Sequence, residues 1–148
     1  MTTSSTLAKA IRVAAEYHDG QLYEDLPYLL HLSQVNALLP KDVGYSVNCI
    51  AYLHDILEDT NMTFETLVRL FDTDIATEVE TLTRLPTQSY QEYIDDITTG
   101  PALMVKLADL TVNRHINYRW GPEYERLNDR YDVAIVIINQ RLDNLHTN

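Results

Sequence analysis

Apolar residues recur along this chain mostly at helical spacing. Leu7, Ile11, Ala14 and His18 form one stripe, which predicts a first helix ending near Gly20, because glycine readily takes the left-handed position that closes a helix. Pro27 is placed to open a second helix as its first residue, running through PYLLHLSQVNALL and stopping before Pro40. Asp42 is a candidate N-cap for a longer helix through GYSVNCIAYLHDILED, and Thr63 for the following FETLVRLF. Further helices are predicted over about 74–84, 89–98, 101–117 and 122–145, the last two opened by Gly100-Pro101 and Gly121-Pro122. No alternating run of strand type, internal repeat or linker stands out. The pattern predicts an all-α fold of seven to eight helices, compact and forming a single domain over residues 1–148.

The exceptions to this pattern carry the chemistry. In YLHDILEDT, His54 and Asp55 stand side by side within an otherwise apolar helical stretch, where bare polar groups are costly unless something satisfies them. A continuous helix sets Glu58 above His54 and Asp59 above Asp55, since residues four apart share a face. One imidazole and three carboxyls then crowd a single turn, and a bound cation is the simplest relief of their repulsion. Two more anomalies lie on other predicted helices: His31 in PYLLHLSQV and Asp109 in ALMVKLADLTV. Two histidines and two aspartates form a mixed nitrogen and oxygen set that suits Mn²⁺, Fe²⁺ or Zn²⁺ and leaves positions open for water or substrate. A histidine hydrogen-bonded within a core is the competing reading of His31 taken alone.

Composition narrows the function classes. The 148 residues carry 11 Lys and Arg against 22 Asp and Glu, a formal net charge of −11. That charge repels phosphate backbones and anionic lipid, so neither nucleic acid nor membrane is expected as a partner. A small anionic ligand stays open where a metal and a few basic side chains reverse the field locally. No run approaches a membrane span, and MTTSSTLAKA lacks a signal-like apolar stretch, so a cytoplasmic protein is expected. The single cysteine, Cys49, has apolar neighbours and no evident basic one, which reads as a packed residue rather than a reactive thiol.

PYLLH, then YLHDILEDTNMTFETLVRLFDTDIATEVETLTR, then VKLADLTVN resemble the HD-domain hydrolases, specifically the alarmone-hydrolase (RelA/SpoT-like) branch with its small free-standing members. The likeness runs over roughly residues 10–145, and the separations of 23 between His31 and His54 and 54 between Asp55 and Asp109 look like those of that branch. It implies Mn²⁺-dependent removal of phosphate or pyrophosphate from the 3′ side of a nucleotide such as ppGpp; some members also remove a ribose phosphate from NADPH. It further implies His31, His54, Asp55 and Asp109 as metal ligands, Glu58 and Asp59 as the catalytic acidic pair and Asn113 as a substrate contact.

Departures from the resemblance bear on substrate. In GQLYEDLPY, Tyr23, Glu24 and Asp25 stand where the branch often has arginine or lysine, and Leu110 follows Asp109 where a basic residue is usual. Each lost charge-assisted contact to phosphate is worth about 1.5–3 kcal/mol, so a less charged or differently shaped nucleotide becomes credible. Lys106 is the leading remaining cation for substrate, with Arg84 and Arg114 as weaker candidates. Tyr131 is placed to stack on a base, although packing suits it too, as it does Tyr17, Tyr28, Tyr52 and Trp120. His18 reads as a packing residue and His115 as a surface one. A 5′-nucleotidase of another HD branch, a catalytically weak nucleotide-binding protein, a purely structural helical protein and a homo-oligomer all stay open.

Overall fold

The computed structural model describes residues 2–117 and 122–147; Trp120 and Gly121 lie outside them. The described chain is helical apart from one small hairpin. In order it runs α1 (Thr3–Tyr17), β1 (Leu22–Tyr23), β2 (Leu26–Pro27), α2 (Tyr28–Ala37), α3 (Tyr45–Leu53), α4 (Ile56–Asp59), α5 (Phe64–Leu70), α6 (Thr73–Thr81), α7 (Tyr90–Asp96) and α8 (Gly100–Asn117). A 3₁₀ turn, Pro122–Tyr124, then leads into α9 (Glu125–His146).

Helix α3 is the central element, packed against α1, α2, α6 and α8, while α9 covers α8. Its sequence explains the position: Cys49, Ile50, Ala51 and Leu53 are all buried, a helix apolar around most of its circumference and hence enclosed on several sides. Cys49 sits in this core, and burial, with the Asp72 charge behind it, pushes its thiol up to about 11. That is a structural cysteine rather than a nucleophile.

Caps mark most boundaries. Thr63 Oγ1 accepts the Thr66 N–H at 3.2 Å at the start of α5, as its sequence position predicts. Asp72 Oδ1 accepts the Ile75 N–H at 2.8 Å ahead of α6. Ser89 and Glu92 form a reciprocal box at α7, with Glu92 N–H donating to Ser89 Oγ at 3.1 Å and Ser89 N–H to Glu92 Oε2 at 2.7 Å. Gly20 takes φ +77° just beyond α1, the left-handed conformation that glycine tolerates.

Four expectations need correction. Gly44, not Asp42, precedes α3. Pro27 does not begin α2; it pairs with Leu22 in the hairpin and precedes the helix with ψ 136°. That hairpin, with Glu24 at φ 55° in its turn, was absent from the helical reading, because a two-residue strand is too short to show alternation. The expected long helix also breaks after Leu53: Asp55 adopts φ −99° and ψ −1° and a new short helix starts at Ile56. Among the described residues this break makes nine α-helical segments where seven to eight were expected. No helix among them is long and apolar enough to cross a membrane.

Candidate metal centre

His31 projects from α2, Asp109 from α8, and His54 and Asp55 from the break between α3 and α4. One nitrogen or oxygen from each of these residues lies within 4.8 Å of the others. His31 Nε2 is 3.2 Å from Asp109 Oδ1, and His54 Nε2 is 3.1 Å from Asp55 Oδ2 and 3.5 Å from Asp109 Oδ1. His31 and His54 are each only 2% exposed and Asp109 5%, so water does little to screen the group.

The break is what permits this convergence. Asp55 occupies the bridge region of backbone space, where many active-site residues sit, and Asp59 N–H still bonds the Asp55 carbonyl at 2.9 Å. His54 Nδ1 faces the Ala51 carbonyl at 2.7 Å, which only a protonated Nδ1 can satisfy. In the neutral ring Nε2 then carries the lone pair, aimed at two carboxylates, and it makes no well-formed hydrogen bond of its own. A ligand histidine whose other nitrogen donates to a carbonyl is the usual arrangement around metals.

The electrostatics call for positive charge. Burial alone would hold His54 neutral, but Asp55 and Asp109 outweigh it and raise its pKa well above the ordinary value. Burial likewise opposes ionisation of Asp109, yet the Lys106 ammonium and the neighbouring His31 and His54 rings hold its carboxyl well below the usual range. Asp55 is also lowered, its burial overcome chiefly by His54. Two ionised carboxylates and two imidazoles at the floor of a cleft are the donor set of a divalent cation, and these residues fit one.

Neighbours hold the group in place. Tyr28 donates its hydroxyl to Asp55 Oδ2. Lys106 Nζ lies 3.0 Å from Asp109 Oδ2, and Asn113 Nδ2 donates to Asp109 Oδ1 at 3.2 Å, one turn along α8. Tyr23 stacks on His31 with ring centroids 4.1 Å apart and donates its hydroxyl to Asn113 Oδ1. His18 is buried against Tyr28 at 4.8 Å, with Nδ1 2.6 Å from Gln21 Oε1, while His115 is exposed.

Glu58 and Asp59 leave the core for the mouth of a cleft of about 250 Å³ above the metal group. With Asp55 they form a second acidic cluster. The break in the helix, rather than a continuous four-residue stacking, puts them there. Burial on the cleft side, followed for each by other acidic charge including Asp55, raises both carboxyls; the Arg84 N–H, 2.8 Å from Glu58 Oε1, partly offsets the effect on Glu58.

The cleft is also lined by Lys106, Asn113, Tyr131 and Arg84, and by Leu110. Arg114 is not part of that lining; it pairs with Asp132. Tyr23, Tyr28, Tyr90 and Arg130 line it too, and sequence reasoning assigned none of them to the site. Tyr23 carried a signal, since it replaces an expected cation two residues after Gln21; Tyr90 and Arg130 look like residues of any amphipathic helix.

A helical bundle that gathers a neighbouring His-Asp pair, a second histidine and a second aspartate around one small volume is the arrangement of the HD-domain hydrolases. No family model matches the chain. Among curated proteins, a guanosine-3′,5′-bis(diphosphate) 3′-pyrophosphohydrolase from Borreliella burgdorferi is 33% identical over 82 residues, covering 54% of this chain and 12% of that protein. The guanosine-3′,5′-bis(diphosphate) 3′-pyrophosphohydrolase MESH1 of Danio rerio is 31% identical over 155 residues, covering 93% of this chain and 86% of MESH1. A solved structure, described as a metazoan ortholog of SpoT that hydrolyzes ppGpp and plays a role in starvation responses, shares the fold: TM-score 0.78, 23% identity, 97% of this chain and 95% of that one. The chain belongs to the guanosine-3′,5′-bis(diphosphate) 3′-pyrophosphohydrolase family. It spans about an eighth of the Borreliella relative and a fifth of the Spiroplasma citri one, but most of the length of MESH1.

Proposed function

We propose that this chain hydrolyses the 3′-pyrophosphate or 3′-phosphate of a nucleotide resembling guanosine-3′,5′-bis(diphosphate). In this reading His31, His54, Asp55 and Asp109 hold one divalent cation; the donor set suits Mn²⁺, Fe²⁺ or Zn²⁺, and the resemblance to the alarmone hydrolases favours Mn²⁺. The observation that carries it is the meeting of those four donors within 4.8 Å, with a second acidic cluster beside them at a cleft. A cation bound there lowers the pKa of water and offsets charge on the phosphoryl group.

The chain's own residues do the rest. Glu58 and Asp59 orient the attacking water and accept its proton, and their raised pKa values bring them closer to the working pH as general bases. The water oxygen bonds to phosphorus as the bond from phosphorus to the 3′ oxygen breaks, and the proton taken up by the acidic pair is returned to the departing 3′ oxygen, which leaves as a hydroxyl. Asn113 contacts the nucleotide, and Lys106 keeps Asp109 ionised while lending positive charge to the cleft floor. Tyr131, half-buried on α9, offers a face for a base.

Tyr23 and Leu110 favour a shift in nucleotide preference, because both bring uncharged surface to the cleft. The strongly negative chain makes nucleic acid and membrane surfaces poor partners, and the working compartment in this reading is the cytoplasm. The test is incubation of purified protein with Mn²⁺ and a nucleotide panel, with identification of the ribose position that loses phosphate. Release from the 3′ position supports the proposal. Release from a 5′-monophosphate alone supports the 5′-nucleotidase reading, and tight binding without turnover supports a nucleotide-binding protein.

A further inference from the structure

Three basic side chains line the cleft: Arg84, Lys106 and Arg130. Lys106 is committed, with Nζ 3.0 Å from Asp109 Oδ2 and 5.1 Å from the Tyr93 ring centroid. The two arginines are not. Among the described residues neither forms an ion pair with a carboxylate; the arginine pairs are Arg114 with Asp132 and Arg141 with Asp95. Arg84 uses Nε to donate to the Gln88 carbonyl at 3.1 Å, which anchors the side chain and leaves its terminal nitrogens available.

Both arginines meet at one ring. The Arg130 guanidinium carbon lies 4.0 Å from the Tyr90 centroid and that of Arg84 5.9 Å from it. A guanidinium resting on an aromatic face keeps its in-plane N–H groups free, and those groups match a phosphate bidentately. The Tyr90 hydroxyl is itself buried with no hydrogen-bond partner, a donor that a ligand would satisfy. Two cations without a carboxylate partner, both turned to the rim of an acidic cleft and stacked on one ring, are poorly explained as solubilising groups alone.

We propose that Arg84, Arg130 and the Tyr90 hydroxyl form a second anion subsite, which binds the phosphate group of the nucleotide remote from the bond being cut. The proposal rests on the hydrolase reading above and deepens it: the substrate carries two separate phosphate groups, and the wall built from the α6–α7 loop and α9 holds the distal one. Tyr93 bridges the two regions, 6.1 Å from Tyr90 between ring centroids and beneath the Lys106 ammonium. The Arg84 backbone N–H bonds Glu58 Oε1, so the loop that grips the distal phosphate also steadies a proposed base.

The experiment compares two nucleoside 3′-diphosphates that differ only in bearing a 5′-diphosphate or a 5′-hydroxyl. The wild type is expected to show the lower KM for the 5′-diphosphate form, and Arg130→Gln to narrow that preference about 10- to 100-fold, the usual weight of a charge-assisted contact. Arg84→Gln and Tyr90→Phe should narrow it in the same sense, and Arg130→Lys, which keeps charge without the fork, should fall between. An unchanged preference in Arg130→Gln and Arg84→Gln overturns the subsite. If the wild type cleaves neither nucleotide, calorimetry with inorganic pyrophosphate on the full chain separates the two ideas. Binding lost in Arg130→Gln keeps the subsite and sinks the hydrolase, whereas no binding to the wild type sinks the subsite as well.

Discussion

The floor and the rim of the cleft are built on opposite physical terms. At the floor, His31, His54 and Asp109 are almost wholly enclosed, the Asp109 oxygens are held by Lys106 and Asn113, and the carboxylates are ionised against the cost of burial. At the rim, Glu58, Asp59, Arg84 and Arg130 are exposed, and their positions depend on stacking and single hydrogen bonds. The floor is enclosed and generic, suited to holding an ion; the rim is open to solvent, and that is where a substrate would be chosen. Members of one family can therefore share the first while differing in the second.

The comparison breaks most visibly at the floor. His54→Ala should leave the protein without stoichiometric metal and hydrolysis below detection, read by metal analysis alongside phosphate release. Chelating the metal from the wild type should remove about 2.7 kcal/mol of stability when the free metal had been 100 times its Kd. Calorimetry would record that as a fall in Tm of roughly 5–10 °C, and no such fall is expected in His54→Ala.

Glu58→Gln should instead keep the metal and lose about 10²–10⁴ in kcat. Its carboxyl is raised in the folded protein, chiefly by burial. A group raised on folding contributes stability below its unfolded pKa and loses it as pH rises through the folded value. At neutral pH the amide should thus raise Tm while lowering activity. The acid limb of the pH–rate profile should lie above the ordinary glutamate value near 4.3 and change shape in the variant.

Tyr28→Phe tests whether the floor needs its supports. It removes only the hydroxyl that donates to Asp55, and metal affinity should weaken by about 10- to 100-fold in titration. Thr63→Ala touches neither region. Loss of its cap on α5 should cost about 1 kcal/mol in denaturant unfolding, with metal content and turnover unchanged.

The same contrast governs how much could be read from the amino acids. His31, His54, Asp55 and Asp109 were legible because a polar side chain in an apolar helical stripe must be satisfied by something, and three such exceptions on separate helices converge. Helices α5 and α8 were legible for a related reason: Thr63 and Gly100 mark their starts at the edge of apolar periodicity. The break at Asp55 was not, since nothing local opposes helix there and its geometry comes from His54, Tyr28 and Asp109, the last more than fifty residues away. Arg130 and Tyr90 were hidden because a rim residue obeys the same period as any solvated face; only the packing of α9 against α8 brings them to the cleft.

Tyr23 gives the cleft a stopper of its own. Its ring covers one face of His31 and its hydroxyl already donates to Asn113 Oδ1, so a nucleotide reaching for that amide oxygen must share it with a phenol or displace one.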